Sequence, residues 1–463
     1  MNIIKDITLE IIIDNSFSCI SSNTFNERLS EYYKIIQNLQ ELLSYKIPGS
    51  DFSKLPEHLK TKYLFSQGKN SDNYYFPTGL INIVLKYFNE IKIKYKILDS
   101  RTQPKTKELF QINSETLHPL RKYQSDIVEK ALKDKRGVIE SATGTGKTRI
   151  LIELIHRISL KTLVIVPSIS LLDQTKSALK KAFGENDQII IANYQSLEKL
   201  KDSFWKSIDV LIIDEFHHSS ASTFQKLNKK FNHIFYRFGL TGTNFRNDGT
   251  DLALQGVLSH VIYKFDAITA INQGYLCKPK FYFIRYPHNR PLKGNGWLNE
   301  YRHRIVRNDE YNQIIALMAN KIIEQGKPLI IFVDEIKHGY FLKKIIPKSF
   351  FVNGTQHSEI NNKYIEDFNK GKIDCIIGTS IIGEGVDTVR ASHAIMAGVG
   401  KARSEIIQKI GRLLRPHKDK KFAYIIDFMH HYSHFLYRHS LERENIYKEY
   451  QSVIEYINLE TIK

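Results

Sequence analysis

Gly137-Val-Ile-Glu-Ser-Ala-Thr-Gly-Thr-Gly-Lys-Thr148 decides the fold: an apolar strand enters a glycine-rich turn, and a helical stretch, Arg149 to Ile158, follows. Strand, tight loop and helix in that order are the opening of a βαβ unit. The loop also has the chemistry of a phosphate cradle. Around Thr143, Gly144, Thr145 and Gly146 the backbone N–H groups can face an anion at a helix N-terminus. Lys147 then meets the β/γ charge, and the Thr148 hydroxyl suits Mg2+. Ser141 stands where the strict pattern has its first glycine. The competing reading is a chance Gly/Thr turn, which the flanking strand and helix argue against.

Outward from this stretch the same alternation continues. Thr162-Leu-Val-Ile-Val, Ile189-Ile-Ile-Ala and Val210-Leu-Ile-Ile are continuous apolar runs, as expected of parallel strands buried on both faces. Pro328-Leu-Ile-Ile-Phe-Val, Cys375-Ile-Ile-Gly, His393-Ala-Ile-Met and Phe422-Ala-Tyr-Ile-Ile repeat the pattern. The N-terminal stretch differs. It has an alternating strand, Leu9-Glu-Ile-Ile-Ile, a helix predicted from Asn26 to Tyr45, and a turn, Gly68-Lys-Asn-Ser-Asp-Asn. Phe76-Pro-Thr-Gly-Leu then leads into an amphipathic helix, Leu80 to Ile91, and a strand, Lys94-Tyr-Lys-Ile-Leu. Ser100 to Thr116 is polar and reads as a linker. The expected architecture is α/β: two tandem parallel-sheet domains, 113–278 and 279–430, behind a small α+β domain, 1–112. A helical tail, 431–463, is expected to pack on the second domain.

Composition bounds the function. The 463 residues are 42% hydrophobic and 25% charged, an ordinary globular balance for two or three domains. A net charge of +18 favours a polyanionic partner, with a solvated Lys-rich surface as the plain alternative. Cys19, Cys277 and Cys375 lie far apart, so they suit neither a disulfide framework nor zinc, and a reducing cytoplasm is expected. No apolar run has the length of a membrane span, so no membrane partner is expected.

Two more stretches carry chemistry. Val210-Leu-Ile-Ile-Asp-Glu-Phe-His ends a strand in two acids: Asp214 can hold Mg2+ through water, and Glu215 can orient and deprotonate an attacking water. His217 can sense a γ-phosphate. Gln408-Lys-Ile-Gly-Arg-Leu-Leu-Arg sets Arg412 and Arg415 three apart on one helix face, where both could neutralise a transferring phosphoryl group. A basic solvent-facing helix is the alternative for that segment taken alone.

These motifs, in this order over about 117 to 420, resemble the DExH-type superfamily 2 helicases. The resemblance implies RecA-like motor domains, ATP and Mg2+, and an ATP site divided between the two domains, with Gln408, Arg412 and Arg415 from the second. Arg121-Lys-Tyr-Gln resembles the adenine-reading Q motif, implying Arg121 and Gln124 at the base. Val166-Pro-Ser and Asn193-Tyr-Gln-Ser-Leu resemble motifs Ia and Ib, which implies strand contacts at Pro167, Ser168, Asn193 and Gln195. Leu240-Thr-Gly-Thr resembles motif III, with Thr241, Gly242 and Thr243 coupling hydrolysis to movement; Asn244 departs from the proline many relatives carry. Ile331-Phe-Val-Asp resembles motif IV. Gly378-Thr through Gly385-Val-Asp resembles motif V, implying Thr379 on the nucleic acid and Gly385 and Asp387 at the nucleotide.

A narrower resemblance joins Phe76-Pro-Thr-Gly-Leu, Phe283-Ile-Arg-Tyr-Pro and the segment from Phe435 to Tyr447 to the UvsW-type phage helicases. It implies remodelling of branched DNA: forks, Holliday junctions, displacement loops and R-loops. It also makes the first domain a DNA-recognition element. Arg307-Asn-Asp is similar to XPB-like and restriction-type relatives. An RNA-directed remodeller, acting on RNA or an RNA–DNA hybrid, and a motor subunit bound to a partner protein in a defence assembly stay open. His430, His431 and His434 fit a packed terminal helix better than zinc. The tail aromatics Tyr432, Phe435, Tyr437, Tyr447 and Tyr450 could stack on bases, but their periodicity favours core packing.

Overall fold

The computed structural model describes residues 8–21, 29–48, 50, 56–69, 71–106, 108–197, 200–216, 226–242, 251–288, 296–379, 388–398, 400, 402–418 and 420–461. They form two compact units, Met1–Ser141 with Lys147–Lys264, and Ala142–Gly146 with Phe265–Lys463.

In the first unit, β1 (Thr8–Ile13) buries Leu9, Ile11 and Ile13, the period-two face of its sequence. It joins β2 (Phe17–Ile20), β5 (Ser66–Gln67), β6 (Tyr74–Pro77) and β7 (Lys94–Asp99) in the order β5-β6-β2-β1-β7. The helix predicted to reach Tyr45 is Leu29–Leu42. It stops early because Ser44–Lys46 (β3) pairs with Thr61–Tyr63 (β4), a long-range contact invisible to local periodicity. The amphipathic helix is Ile81–Glu90, burying Val84 and Phe88 one turn apart.

The stretch read as a linker, 100–116, is instead pinned along the first unit. Gln103 Nε2 donates to Tyr236 Oη at 2.7 Å, Thr106 Oγ1 to the Ile158 carbonyl at 2.7 Å, and the Asn113 N–H to the Ala182 carbonyl at 2.8 Å. Irregularly spaced polar bonds leave no periodic signature, so composition alone suggested a free segment.

The six-stranded sheet of this unit runs β10-β9-β11-β12-β8-β13, from β8 (Arg136–Ser141), β9 (Thr162–Val166), β10 (Ile189–Asn193), β11 (Val210–Asp214), β12 (Tyr236–Thr241) and β13 (Val261–Phe265). β8 to β12 are mutually parallel. β12 went unread because Arg237 and Gly239 interrupt its apolar run, yet the strand is wholly buried. Arg237 is satisfied there: it donates to Asn228 Oδ1 and Ser16 Oγ, both at 2.8 Å, and to the carbonyls of Phe231 and Ile234. Arg136 reaches the carbonyls of Asn15 and Val257 at 3.0 and 2.9 Å. Two buried guanidinium groups therefore tie the β1–β2 turn to the six-stranded sheet. Gly79 supports the same junction, since a Cβ there would stand 1.9 Å from the Gln255 carbonyl oxygen.

Among its described residues the second unit holds seven parallel strands: β14 (Lys278–Pro287), β15 (Leu329–Phe332), β16 (Ser349–Val352), β17 (Cys375–Gly378), β18 (His393–Met396), β19 (Phe422–His431) and β20 (Ile454–Asn458). Their order is β16-β17-β15-β18-β19-β14-β20. The tail is not helical throughout. Helix His434–Lys448 is followed by β20, which adds to the β14 edge. The helix is locked by Arg443, bidentate to Asp427 at 2.7 and 2.9 Å, and by Tyr447, whose hydroxyl donates to Asp427 at 2.6 Å. Tyr447 and Tyr450 are core residues, as their periodicity suggested. His430 and His431 lie on β19 rather than on a helix. Among the described residues no helix is long and apolar enough to cross a membrane, and no group of three or more His, Cys, Asp or Glu could hold a metal.

Candidate active site

In a parallel sheet all strands end on one edge, and ligands bind there. The first sheet delivers its candidate residues to that edge: the 142–146 loop after β8, Pro167 and Ser168 after β9, Asn193 at the end of β10, Asp214 at the end of β11 with Glu215 in the turn after it, Thr241 at the end of β12 and Gly242 just past it. In the loop, Gly144 and Gly146 have φ of 91° and 83°, a conformation that favours glycine. Thr145 closes the turn by donating its hydroxyl to the Ala142 carbonyl at 2.6 Å. Helix Lys147–Ile158 starts directly behind the loop, and Thr148 is exposed in its first turn.

Lys147 and Glu215 form the centre of the site. Lys147 Nζ lies 3.0 Å from Glu215 Oε1 and donates to the Ser141 carbonyl at 3.4 Å. Glu215 Oε2 accepts the Gly242 N–H at 3.3 Å, so the segment read as motif III touches the acid directly. Glu215 has φ 45°, a left-handed conformation uncommon for a non-glycine residue and typical of strained functional positions. Asp214 accepts the Glu215 N–H at 3.0 Å. Burial pushes its carboxyl up to about 7, the Glu215 charge adds to that, and Lys147 opposes it. With the Thr148 hydroxyl, the Asp214 carboxylate is an all-oxygen set that fits a hard cation such as Mg2+.

Other predicted residues have structural duties as well. Gln124 Oε1 accepts the Arg121 N–H at 2.9 Å and caps helix Lys122–Asp134. Ser168 caps Ile169–Phe183 through the Leu171 N–H, and Asn193 Oδ1 accepts from Ser196 N–H. Gln195 is exposed beside it. His217, Thr243, Gly385 and Asp387 lie outside the described residues.

In the second unit, Thr379 follows β17 and is buried. Gln408 and Arg412 sit on helix Arg403–Leu413, both mostly buried, which removes the reading of a solvent-facing basic helix. Arg415 lies past the helix end, but its N–H still bonds the Arg412 carbonyl at 3.4 Å. Its Cγ stands 3.2 Å from where a Cβ on Gly144 would be, and the Gly411 carbonyl oxygen 2.7 Å from the same point. One pair escaped notice: buried Lys409 meets Asp334 at 3.5 Å, and Asp334 also accepts the Gly400 N–H at 3.1 Å. Both residues stood in quoted motifs, Ile331-Phe-Val-Asp and Gln408-Lys-Ile-Gly-Arg, but their contact joins positions 75 apart that only the fold brings together.

The family description "Type III restriction enzyme, res subunit" matches residues 117–246, and "Helicase conserved C-terminal domain" matches 310–417. The DNA 3'-5' translocase XPB2 of Sulfurisphaera tokodaii is 23% identical over 393 residues, 73% of this chain and 86% of that protein. The ATP-dependent DNA helicase uvsW of Enterobacteria phage T4 is 22% identical over 341 residues, 66% of this chain and 68% of that protein. In fold, the chain is similar to the ATP-dependent Type ISP restriction-modification enzyme LlaBIII bound to DNA. The TM-score is 0.58 at 15% identity, over 82% of this chain and 36% of that one.

Proposed function

The chain belongs to the superfamily 2 helicases, related to the XPB, UvsW and restriction-type enzymes, and we propose that it is an ATP-driven motor that tracks one strand of DNA and remodels branched duplexes. It is an ATP-dependent nucleic-acid helicase by family. The observation that carries the mechanism is the chain of contacts Lys147–Glu215–Gly242.

ATP is held by the loop from Thr143 to Thr148, with Arg121 and Gln124 at the base and Gly385 and Asp387 at the nucleotide. Thr148 and Asp214 would hold Mg2+, which would supply positive charge to the nucleotide's phosphates. The incoming γ-phosphate draws Lys147 away from Glu215. That leaves the Glu215 carboxylate to orient water and take its proton. Arg412 and Arg415, positioned with Gln408, neutralise charge on the transferring phosphoryl group. Gly242 reports the change at Glu215 to the Thr241–Thr243 segment, and His217 senses the γ-phosphate.

Pro167, Ser168, Asn193, Gln195 and Thr379 grip the strand by its backbone, so binding is sequence-tolerant and salt-sensitive. The net charge of +18 and an N-terminal region tied to the six-stranded sheet by buried bonds support a DNA-recognition role for residues 1–112. Stimulation of ATP turnover by forks, Holliday junctions, R-loops and RNA duplexes separates the tracks. Branched DNA is expected to stimulate most. RNA duplexes stimulating above every DNA substrate would assign the motor to RNA.

A further inference from the structure

The tail aromatics separate sharply in the fold. Tyr447 and Tyr450 are buried, whereas Tyr432 is 78% exposed and Tyr437 38%. Tyr432 follows β19, so it stands at the C-terminal edge of the parallel sheet, the edge that also carries Thr379 after β17. β19 runs on past its partner β18, which ends at Met396, and this carries Tyr432 out beyond that neighbour.

The mounting is unusual for a surface tyrosine. Tyr432 has φ 60°, a left-handed conformation that a bulky side chain rarely adopts. Buried groups hold it there. Arg304 donates to the Tyr432 carbonyl at 3.2 Å and to the His288 carbonyl at 3.1 Å, and it pairs with buried Glu300 at 3.6 Å. Ser433 donates to Glu300 and caps helix His434–Lys448 through the Leu436 N–H at 3.1 Å. An exposed turn with no role for the ring would be met more cheaply by glycine. Next to it, the His431 ring lies 6.5 Å from Tyr432 and 5.4 Å from Tyr437. The Arg285 guanidinium is close enough to His431 to disfavour its charged form, and it lies 5.5 Å from the centre of the Tyr456 ring.

We propose that Tyr432 is a stacking platform for a nucleobase of the single strand the motor holds, with His431 and Tyr437 extending the shelf. This rests on the nucleic-acid motor reading above. A rigidly held, exposed ring at the ligand-binding edge, with the Arg285 guanidinium near its His431 neighbour, suits a base flanked by phosphates and stacks without regard to sequence.

The test uses the full chain and a single-stranded oligonucleotide, with affinity read by anisotropy at several salt concentrations and stacking by 2-aminopurine quenching. Tyr432→Ala and Tyr432→Gly are expected to bind about tenfold more weakly and lose quenching, while Tyr432→Trp and Tyr432→Phe stay within about twofold of the parent. The slope of log affinity against log salt is expected to stay unchanged, because no phosphate contact is removed. Tyr432→Gly suits the left-handed backbone, so its thermal midpoint should not fall, which separates stacking from misfolding. Parental affinity in Tyr432→Ala, failure of Phe to rescue, or a reduced salt slope would each overturn the proposal and leave the motor reading intact. A parent chain that binds no single strand would overturn both.

Discussion

Asp214 shows how one residue's surroundings set its chemistry. Burial raises its carboxyl to about 7, so in the cation-free enzyme it holds a proton below that pH. A divalent cation must displace this proton, and its affinity should therefore fall as pH drops through 7. Calorimetry of Mg·ATP binding in buffers of different ionisation enthalpy checks this. Close to one proton released at pH 6 and almost none at pH 8.5 is expected; no release at pH 6 would remove Asp214 from the cation site. At this scale the sequence was most informative where chemistry demands particular atoms. The acids after β11 and the glycines before Lys147 could be read without a structure because few other residues bind phosphate and Mg2+. The Glu215–Gly242 bond could not, because it joins strand ends that only the sheet brings together.

At the scale of elements, the junction between the N-terminal strands and the six-stranded sheet depends on close backbone approach. Thr78 Oγ1 donates to the Asp14 carbonyl at 2.6 Å, and the Thr78 N–H to the Ser16 carbonyl at 2.9 Å. Gly79 then passes under Gln255 with no room for a side chain. Gly79→Ala should force that contact apart and cost about 1–3 kcal/mol, the range for overpacking a filled site. Denaturant unfolding should show the loss, and limited proteolysis should cut sooner within residues 1–112. An unchanged midpoint and unchanged cleavage would mean that the junction tolerates the methyl group. Phe76-Pro-Thr-Gly-Leu was legible as a motif, but its physical reason was not, since Gln255 lies far away in sequence. Continuous apolar strands such as β9 and β11 were read directly. β14 was missed because Lys278, Lys280 and Arg285 break up its apolar run.

For the whole molecule, the described imidazoles held well below their ordinary range all lie in the second unit. Burial is the leading cause for each of them. His288 falls to about 3, aided by Arg304; His338 falls to about 4 against opposition from Asp334; and His393 falls to about 4, aided by Lys327. His430, bonded to His288 at 2.9 Å, is lowered further by His288 and Arg443. The unfolded chain binds protons at these sites below about pH 6.5 while the folded unit does not, so stability is lost as pH falls from there toward 3. The two tryptophans report separately, Trp205 from the first unit and Trp297, packed on His439, from the second. In single-tryptophan variants titrated with acid, the Trp297 signal is expected to change at the higher pH. Simultaneous change would argue against a neutral-histidine core as the weak point.

The α/β class and the tandem order of sheets were legible because buried parallel strands need unbroken apolar runs. The pinned 100–116 segment and β20 were not, because both depend on distant partners. The central claim, ATP turnover by Lys147 and Glu215 driven by nucleic acid, is tested most directly by one measurement. ATP hydrolysis is followed with and without branched DNA in the parent chain, Lys147→Ala and Glu215→Gln. The account predicts strong DNA stimulation in the parent and a loss of about 100-fold or more in both variants, the scale expected of a general base, with folding retained. Turnover that ignores DNA, or near-parental turnover in either variant, would contradict it.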